Sequence, residues 1–159
     1  MNPIIPNLWF DTEAEQAAQF YVSVVPDSRI LSTALYPEGA PGPTGTAMTV
    51  EFELNGQRFV GINGGPQFPF TEAVSFQITC ETQEEVDRYW AVLTEGGAES
   101  QCGWLKDRYG LSWQVVPDGM EELFADPDPS RAQRAVQAML GMRKLDVAAL
   151  RAAADGVPV

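Results

Sequence analysis

The chain repeats itself. Aligned at an offset of 69 residues, Ile5 falls on Val74 and Trp9 on Ile78, Glu15 on Glu84 and Ala17 on Val86. The aromatic pair Phe20-Tyr21 falls on Tyr89-Trp90, and Val24 on Leu93. A supersecondary unit used twice restricts the fold more than composition does, because each copy must bury the same kind of face. The unit reads as strand, helix, strands. An apolar run, Ile4 to Phe10, ends at Asp11-Thr12, and Thr12 with Glu15 has capping-box spacing. A helix then carries Ala17, Phe20, Tyr21 and Val24 and stops before Pro26. Arg29 to Tyr36 reads as a strand, and Pro37 to Gly45 is a loop rich in Pro and Gly.

Thr46 to Leu54 alternates, and Asn55-Gly56 predicts a type I′ hairpin with Gln57 to Ile62. That register sets Phe52 opposite Phe59 and Glu53 opposite Arg58, a predicted cross-strand ion pair. Gly64-Gly65-Pro66 interrupts the chain before the second copy. This copy has a strand over Val74 to Cys80 and a capping box at Thr82 and Glu85. Its helix stripe is Val86, Tyr89, Trp90 and Leu93, ended by Gly96-Gly97. Glu99 to Lys106 predicts one short strand, Asp107 to Gly110 a charged turn, and Leu111 to Val116 a last strand closed by Pro117. Beyond it, Asp126 to Pro129 opens a helix bearing Ala132, Ala135, Val136, Met139 and Leu140, and a shorter one spans Asp146 to Ala154.

Alternation separates the faces of the second copy. Phe76, Ile78, Trp113 and Val115 form the face expected under the helix, and Ser75, Gln77, Thr79, Ser112 and Gln114 form the other. Polar side chains lining a concave sheet face are costly unless water or a ligand fills it, so this face is either a solvated outer face or, as two modules enclosing one hollow would favour, a groove.

Composition removes several functions. The sequence has no histidine, which excludes Ser-His-Asp and Cys-His machinery and imidazole metal sites. Its net charge of −12 repels phosphate backbones and anionic headgroups, so neither nucleic acid nor a membrane surface is an expected partner. No basic, apolar leader opens the sequence and no run is long enough to span a bilayer, so a cytoplasmic location is expected. Cys80 and Cys102 are expected as reduced thiols.

Several stretches together carry a resemblance. They are Leu8-Trp9-Phe10-Asp11 with Phe20-Tyr21, Asn63-Gly64-Gly65-Pro66, Glu84-Glu85-Val86-Asp87, Cys102-Gly103-Trp104-Leu105-Lys106-Asp107 with Gly110, and Trp113-Gln114-Val115-Val116-Pro117. From about residue 3 to 117 the chain resembles the PhnB-like proteins labelled 3-demethylubiquinone-9 3-methyltransferase. These belong to the vicinal oxygen chelate superfamily, with glyoxalase I, bleomycin-resistance proteins and extradiol dioxygenases. The tail Ala138-Met139-Leu140, Met142 and Lys144-Leu145-Asp146 also resembles this branch.

The resemblance implies an α+β fold of paired βαβββ modules, a U-shaped mixed sheet around a cavity, and a homodimer. It divides one domain over 1–159 into module one (3–66), module two (72–117) and a C-terminal helical extension (120–156). Superfamily enzymes carry metal ligands on the first and last strands of each module. By the repeat, these positions fall on Pro6, Ser75 and Gln114, with the fourth near Phe59 to Gly61. A catalytic divalent ion needs carboxylate or imidazole ligands, so no metal and no cofactor are expected. A methyl-donor site of the usual kind needs a Gly-rich turn between a parallel strand and a helix, and Gly64-Gly65 and Gly96-Gly97 read as turns.

The leading expectation is a protein that binds a small, neutral or aromatic molecule in a metal-free cavity lined by Leu8, Phe10, Asn63, Ser75, Gln77, Trp104 and Gln114. The alternative is a metal-independent enzyme acting on a quinone-like substrate. There Glu51 would be the acid or base and Cys102 the nucleophile, with Lys106 or Arg108 as electrostatic partners. A third reading is a dimerising structural module.

Overall fold

The computed structural model describes residues 3–157. Two compact units divide the chain, one through Phe70 and one from Thr71 onward. In the first, β1 (Asn7–Phe10) leads through α1 (Ala14–Val24) to β2 (Arg29–Leu35), β3 (Ala47–Leu54) and β4 (Gln57–Asn63). The strands form a four-stranded sheet in the order β1-β4-β3-β2, with β1 and β4 parallel and the rest antiparallel. The second unit repeats this topology with β5 (Ser75–Cys80), α2 (Gln83–Thr94), β6 (Ala98–Glu99), β7 (Trp104–Lys106) and β8 (Ser112–Pro117), in the order β5-β8-β7-β6. Three helices follow within this unit: α3 (Met120–Phe124), α4 (Pro129–Leu140) and α5 (Val147–Ala154). This is the α+β, glyoxalase/bleomycin-resistance-like arrangement.

Each sheet buries one face against its helix. Ala14, Ala17, Ala18, Tyr21 and Val24 make the buried stripe of α1, and Val86, Tyr89, Trp90 and Leu93 that of α2. The Tyr21 ring lies 6.2 Å from that of Phe52, which stacks on Phe59 at 5.4 Å. The hairpin turn has Asn55 at φ 46° and Gly56 at φ 81°, the pair of left-handed residues a type I′ turn requires. Its register is as predicted, Phe52 on Phe59 and Glu53 on Arg58. The ion pairing differs. Arg58 reaches diagonally to Glu51, and Glu53 pairs with Arg29 of β2 at 3.2 Å. A long guanidinium spans the diagonal as readily as the direct opposite.

Helix starts differ between the copies. Thr82 Oγ1 accepts from Glu85 N at 3.2 Å, and the Glu85 carboxylate accepts from Glu81 N at 2.8 Å, so the return arm of this box lands one residue early. At α1 the Thr12 box does not form. The N-cap is Glu13, without a side-chain cap, and Ala14 N donates to Asn63 Oδ1 of β4.

The repeat also slips by one residue. The helices keep the offset of 69, Ala14 matching Gln83. The first strands match at 70. Gly64 N donates to Phe10 O, and Asp118 N makes the equivalent bond to Cys80 O. The linker from strand to helix is one residue shorter in the second copy. A one-residue shift exchanges the two faces of a strand. Trp9 therefore matches Thr79, not Ile78, and Leu8 and Phe10 lie on the face that α1 covers. A Cβ on Gly61, the partner of Leu8, would sit 3.1 Å from Ala14 Cβ.

The predicted single strand over 99–106 is instead the β6–β7 hairpin, turned at Cys102 (φ 57°) and Gly103 (φ 82°). The C-terminal helices pack on this unit. Met120, Leu145 and Leu150 form a buried cluster with Val116, Leu123, Phe124, Ala138, Met139 and Met142 around it. Asp128 and Asp146 cap α4 and α5 through Ser130 N and Ala149 N, each at 2.9 Å.

Candidate functional site

The uncovered face of the second sheet carries Ser75, Gln77 and Thr79 from β5, Ser112, Gln114 and Val116 from β8, and Trp104 and Lys106 from β7. The registers fix this: Gln77 lies beside Gln114, and Gln114 beside Trp104. A hollow of about 490 Å³ opens on this face. Its floor is Gln77, Thr79, Trp104, Gln114 and Val116, and its apolar wall is Met120, Phe124, Met139 and Leu145. Asp118, Glu121 and Glu122, all exposed, also line it, as does Cys102 from the β6–β7 turn.

The floor is held from within. Gln114 Nε2 donates to Ser75 Oγ at 2.9 Å, which fixes that amide and leaves its oxygen to accept. Gln77 Nε2 lies 3.4 Å from Thr79 Oγ1, a long contact that a ligand could displace. The wall is set by the tail. Cys102 N donates to Met142 O at 2.8 Å and Gly103 N to Arg143 O at 2.7 Å. The Gln83 side chain spans the chain just before α5, donating to Leu145 O at 3.1 Å and accepting from Val147 N at 3.0 Å. Lys144 beside Asp87 holds that carboxyl below its usual range, and the Trp90 indole N–H does the same for Glu99. Behind the floor, burial pushes the Cys80 thiol up to about 11.

Five of the predicted site residues thus meet: Gln77, Trp104, Gln114 and Cys102 line the hollow, and Ser75 supports Gln114. The other four belong to the first unit. Leu8 and Phe10 are buried under α1, with the Phe10 ring edge-on to Phe70 at 5.3 Å. Asn63 is buried and structural: beside capping Ala14 N it donates to Ala47 O at 2.9 Å. Glu51 lies on the open face of its sheet with its carboxylate held by Arg58. Trp9, on that same face, is fixed by its indole bond to Gly65 O at 2.8 Å. The wall residues were missed because the apolar stripe of the C-terminal helices indicates burial but not the surface that receives it. The turn over 107–110 also hid a buried acid. Asp107 accepts from Tyr109 N, Leu111 N and Trp113 Nε1, the last at 2.9 Å.

The positions that the resemblance implies for metal ligands can now be placed. In the second unit they are Ser75 and Gln114, a hydroxyl and an amide bonded to each other. The strand offset moves the first-unit position from Pro6 to Ile5, and the equivalent of Gln114 is Val60, the partner of Asn7. Among the described residues no three His, Cys, Asp or Glu side chains come together. These donors do not fit a catalytic divalent ion. Nor does Gly64-Gly65 form a methyl-donor turn, since it follows β4 but leads into no helix.

The model of the family described as 3-demethylubiquinone-9 3-methyltransferase matches residues 2–116. No curated protein matches the chain. Among solved structures, a PhnB protein from Bacillus cereus that carries the same methyltransferase description is 38% identical, with a TM-score of 0.68 over 73% of this chain and 99% of that one. A Pseudomonas aeruginosa protein at 18% identity gives 0.61 over 74% and 98%. The fosfomycin resistance protein FosX of Mesorhizobium loti, at 10% identity, shares the fold with a TM-score of 0.54 over 78% and 97%. The chain belongs to the family described as 3-demethylubiquinone-9 3-methyltransferase, the PhnB-like branch of the vicinal oxygen chelate superfamily.

Proposed function

We propose that this protein binds a small, neutral or aromatic molecule, without a metal, in the hollow of its second unit. One observation carries the reading. The hollow sets two amides and an indole on its floor against a wall of Met120, Phe124, Met139 and Leu145. Small-molecule sites join apolar surface to convergent polar groups, here two amides, the Thr79 hydroxyl and three carboxylates, and about 490 Å³ is within the usual range of such sites. Trp104 supplies stacking area, and the oriented Gln114 amide supplies direction. The same reading takes the protein as a cytoplasmic homodimer, which sedimentation at micromolar concentration tests.

The binding test is intrinsic fluorescence. Titration of a panel of neutral aromatic compounds should change the Trp emission of the natural protein. The Trp104→Phe variant, folded by circular dichroism, should lose that response. A response that survives in the variant, or none across the panel, contradicts the proposal.

A further inference from the structure

The reading of the hollow as a binding site deepens once its charges are counted, and the geometry points to an aromatic cation as its preferred guest. Among the described residues no Lys or Arg lines the hollow, while Asp118, Glu121 and Glu122 do. Among the described residues none of the three carboxylates is in an ion pair. All three are exposed, and no basic side chain of the lining offsets their charge. The rest of the lining suits the other half of such a guest. Trp104 and Phe124 bring aromatic rings, whose faces attract organic cations, and the thioethers of Met120 and Met139 are soft, adaptable surface for a flat ring. A cation entering ring-first leaves its charge near the carboxylates. An anion of the same shape meets only repulsion.

This inference rests on the proposed binding site, and the experiment separates the two. Three probes of similar size are titrated calorimetrically: N-methylquinolinium, neutral 2-naphthamide and anionic 2-naphthoate. At low salt the cation should bind about tenfold tighter than the amide, the anion should not bind measurably, and 0.5 M NaCl should shrink the cation's advantage to about twofold. In Asp118→Asn/Glu121→Gln/Glu122→Gln the cation should fall to the level of the amide. Equal binding of cation and amide overturns this inference and leaves the binding site standing. No binding of any probe overturns both. A cation preference that survives in the triple variant also overturns it, because the attraction then lies elsewhere.

Discussion

Asn63 Oδ1, at the end of β4, accepts the backbone N–H of Ala14 at 2.8 Å and so caps a helix 49 residues earlier in the chain. The same amide donates to Ala47 O, and the Asn63 carbonyl accepts the Tyr36 hydroxyl. One side chain thus ties α1 to β3 and β4. Asn63→Ala should cost about 2 kcal/mol, because it leaves a helix-start donor and a strand acceptor buried without partners. Asn63→Asp keeps the acceptor for Ala14 N but sets a carboxylate oxygen against Ala47 O, so it should also lose stability while the Ala14 amide stays protected. Urea denaturation measures the losses, and hydrogen exchange at Ala14 N as fast in Asn63→Asp as in Asn63→Ala would refute the capping role.

Asp107 accepts from three donors while buried. Asp107→Asn replaces an acceptor oxygen with an N–H2 facing one of them. A loss of about 2 to 4 kcal/mol is expected, with a shift in Trp113 emission. A variant as stable as the natural chain would show that these bonds contribute nothing net.

Gly103 turns the β6–β7 hairpin at φ 82°, and a Cβ there would lie 2.8 Å from Val115 O and 3.0 Å from Leu145 Cδ1. Gly103→Ala should destabilise the second unit by more than about 1 kcal/mol and loosen residues 142–146. Hydrogen exchange at Cys102 N, bonded to Met142 O, should accelerate. Unchanged protection would contradict the packing described.

Stability should respond to pH at two ends only. The carboxyls of Asp87, Glu99, Glu72 and Asp126 are held below their ordinary values of 3.8 and 4.5. Such groups contribute stability above those values and lose it as pH falls through the lowered ones. Cys80 is raised from 9.0 to about 11, so its contribution is whole below pH 9 and is lost as pH climbs toward 11. With no histidine, the melting temperature should stay level from pH 5.5 to 8. A step near pH 6.5 would contradict this.

The sequence showed the fold through its repeat, because the helix stripes recur at constant spacing and Asn55-Gly56 sets its hairpin alone. It misassigned faces where a single residue was dropped between strand and helix. Leu8 and Phe10 were placed toward a cavity, but the shorter linker before Gln83 shifts the strand match and turns them under α1. Periodicity cannot register such a slip, since Leu8 and Phe10 on one face of β1 and Trp9 on the other are all large and apolar. Asn63 lines a hollow of about 700 Å³ on the first unit, beside Tyr36, Gly64 and Gly65, but its side chain is already engaged by Ala14 N and Ala47 O, which an amide after a strand does not reveal in sequence. On the second sheet, polar and apolar residues alternate cleanly, and there Gln77 and Gln114 were legible as floor residues. The wall was not, because it is built from helices whose docking surface is set by tertiary contacts.

The central claim is that the hollow on the second sheet receives a small aromatic molecule. Methyl-labelled methionine and indole N–H resonances test it most directly, since Met120, Met139 and Trp104 line that hollow while Met48 and Trp9 belong to the first unit. On addition of N-methylquinolinium or 2-naphthamide, the account predicts shifts at Met120, Met139 and Trp104 with Met48 and Trp9 still. Shifts confined to Met48 and Trp9, or none anywhere, would contradict it.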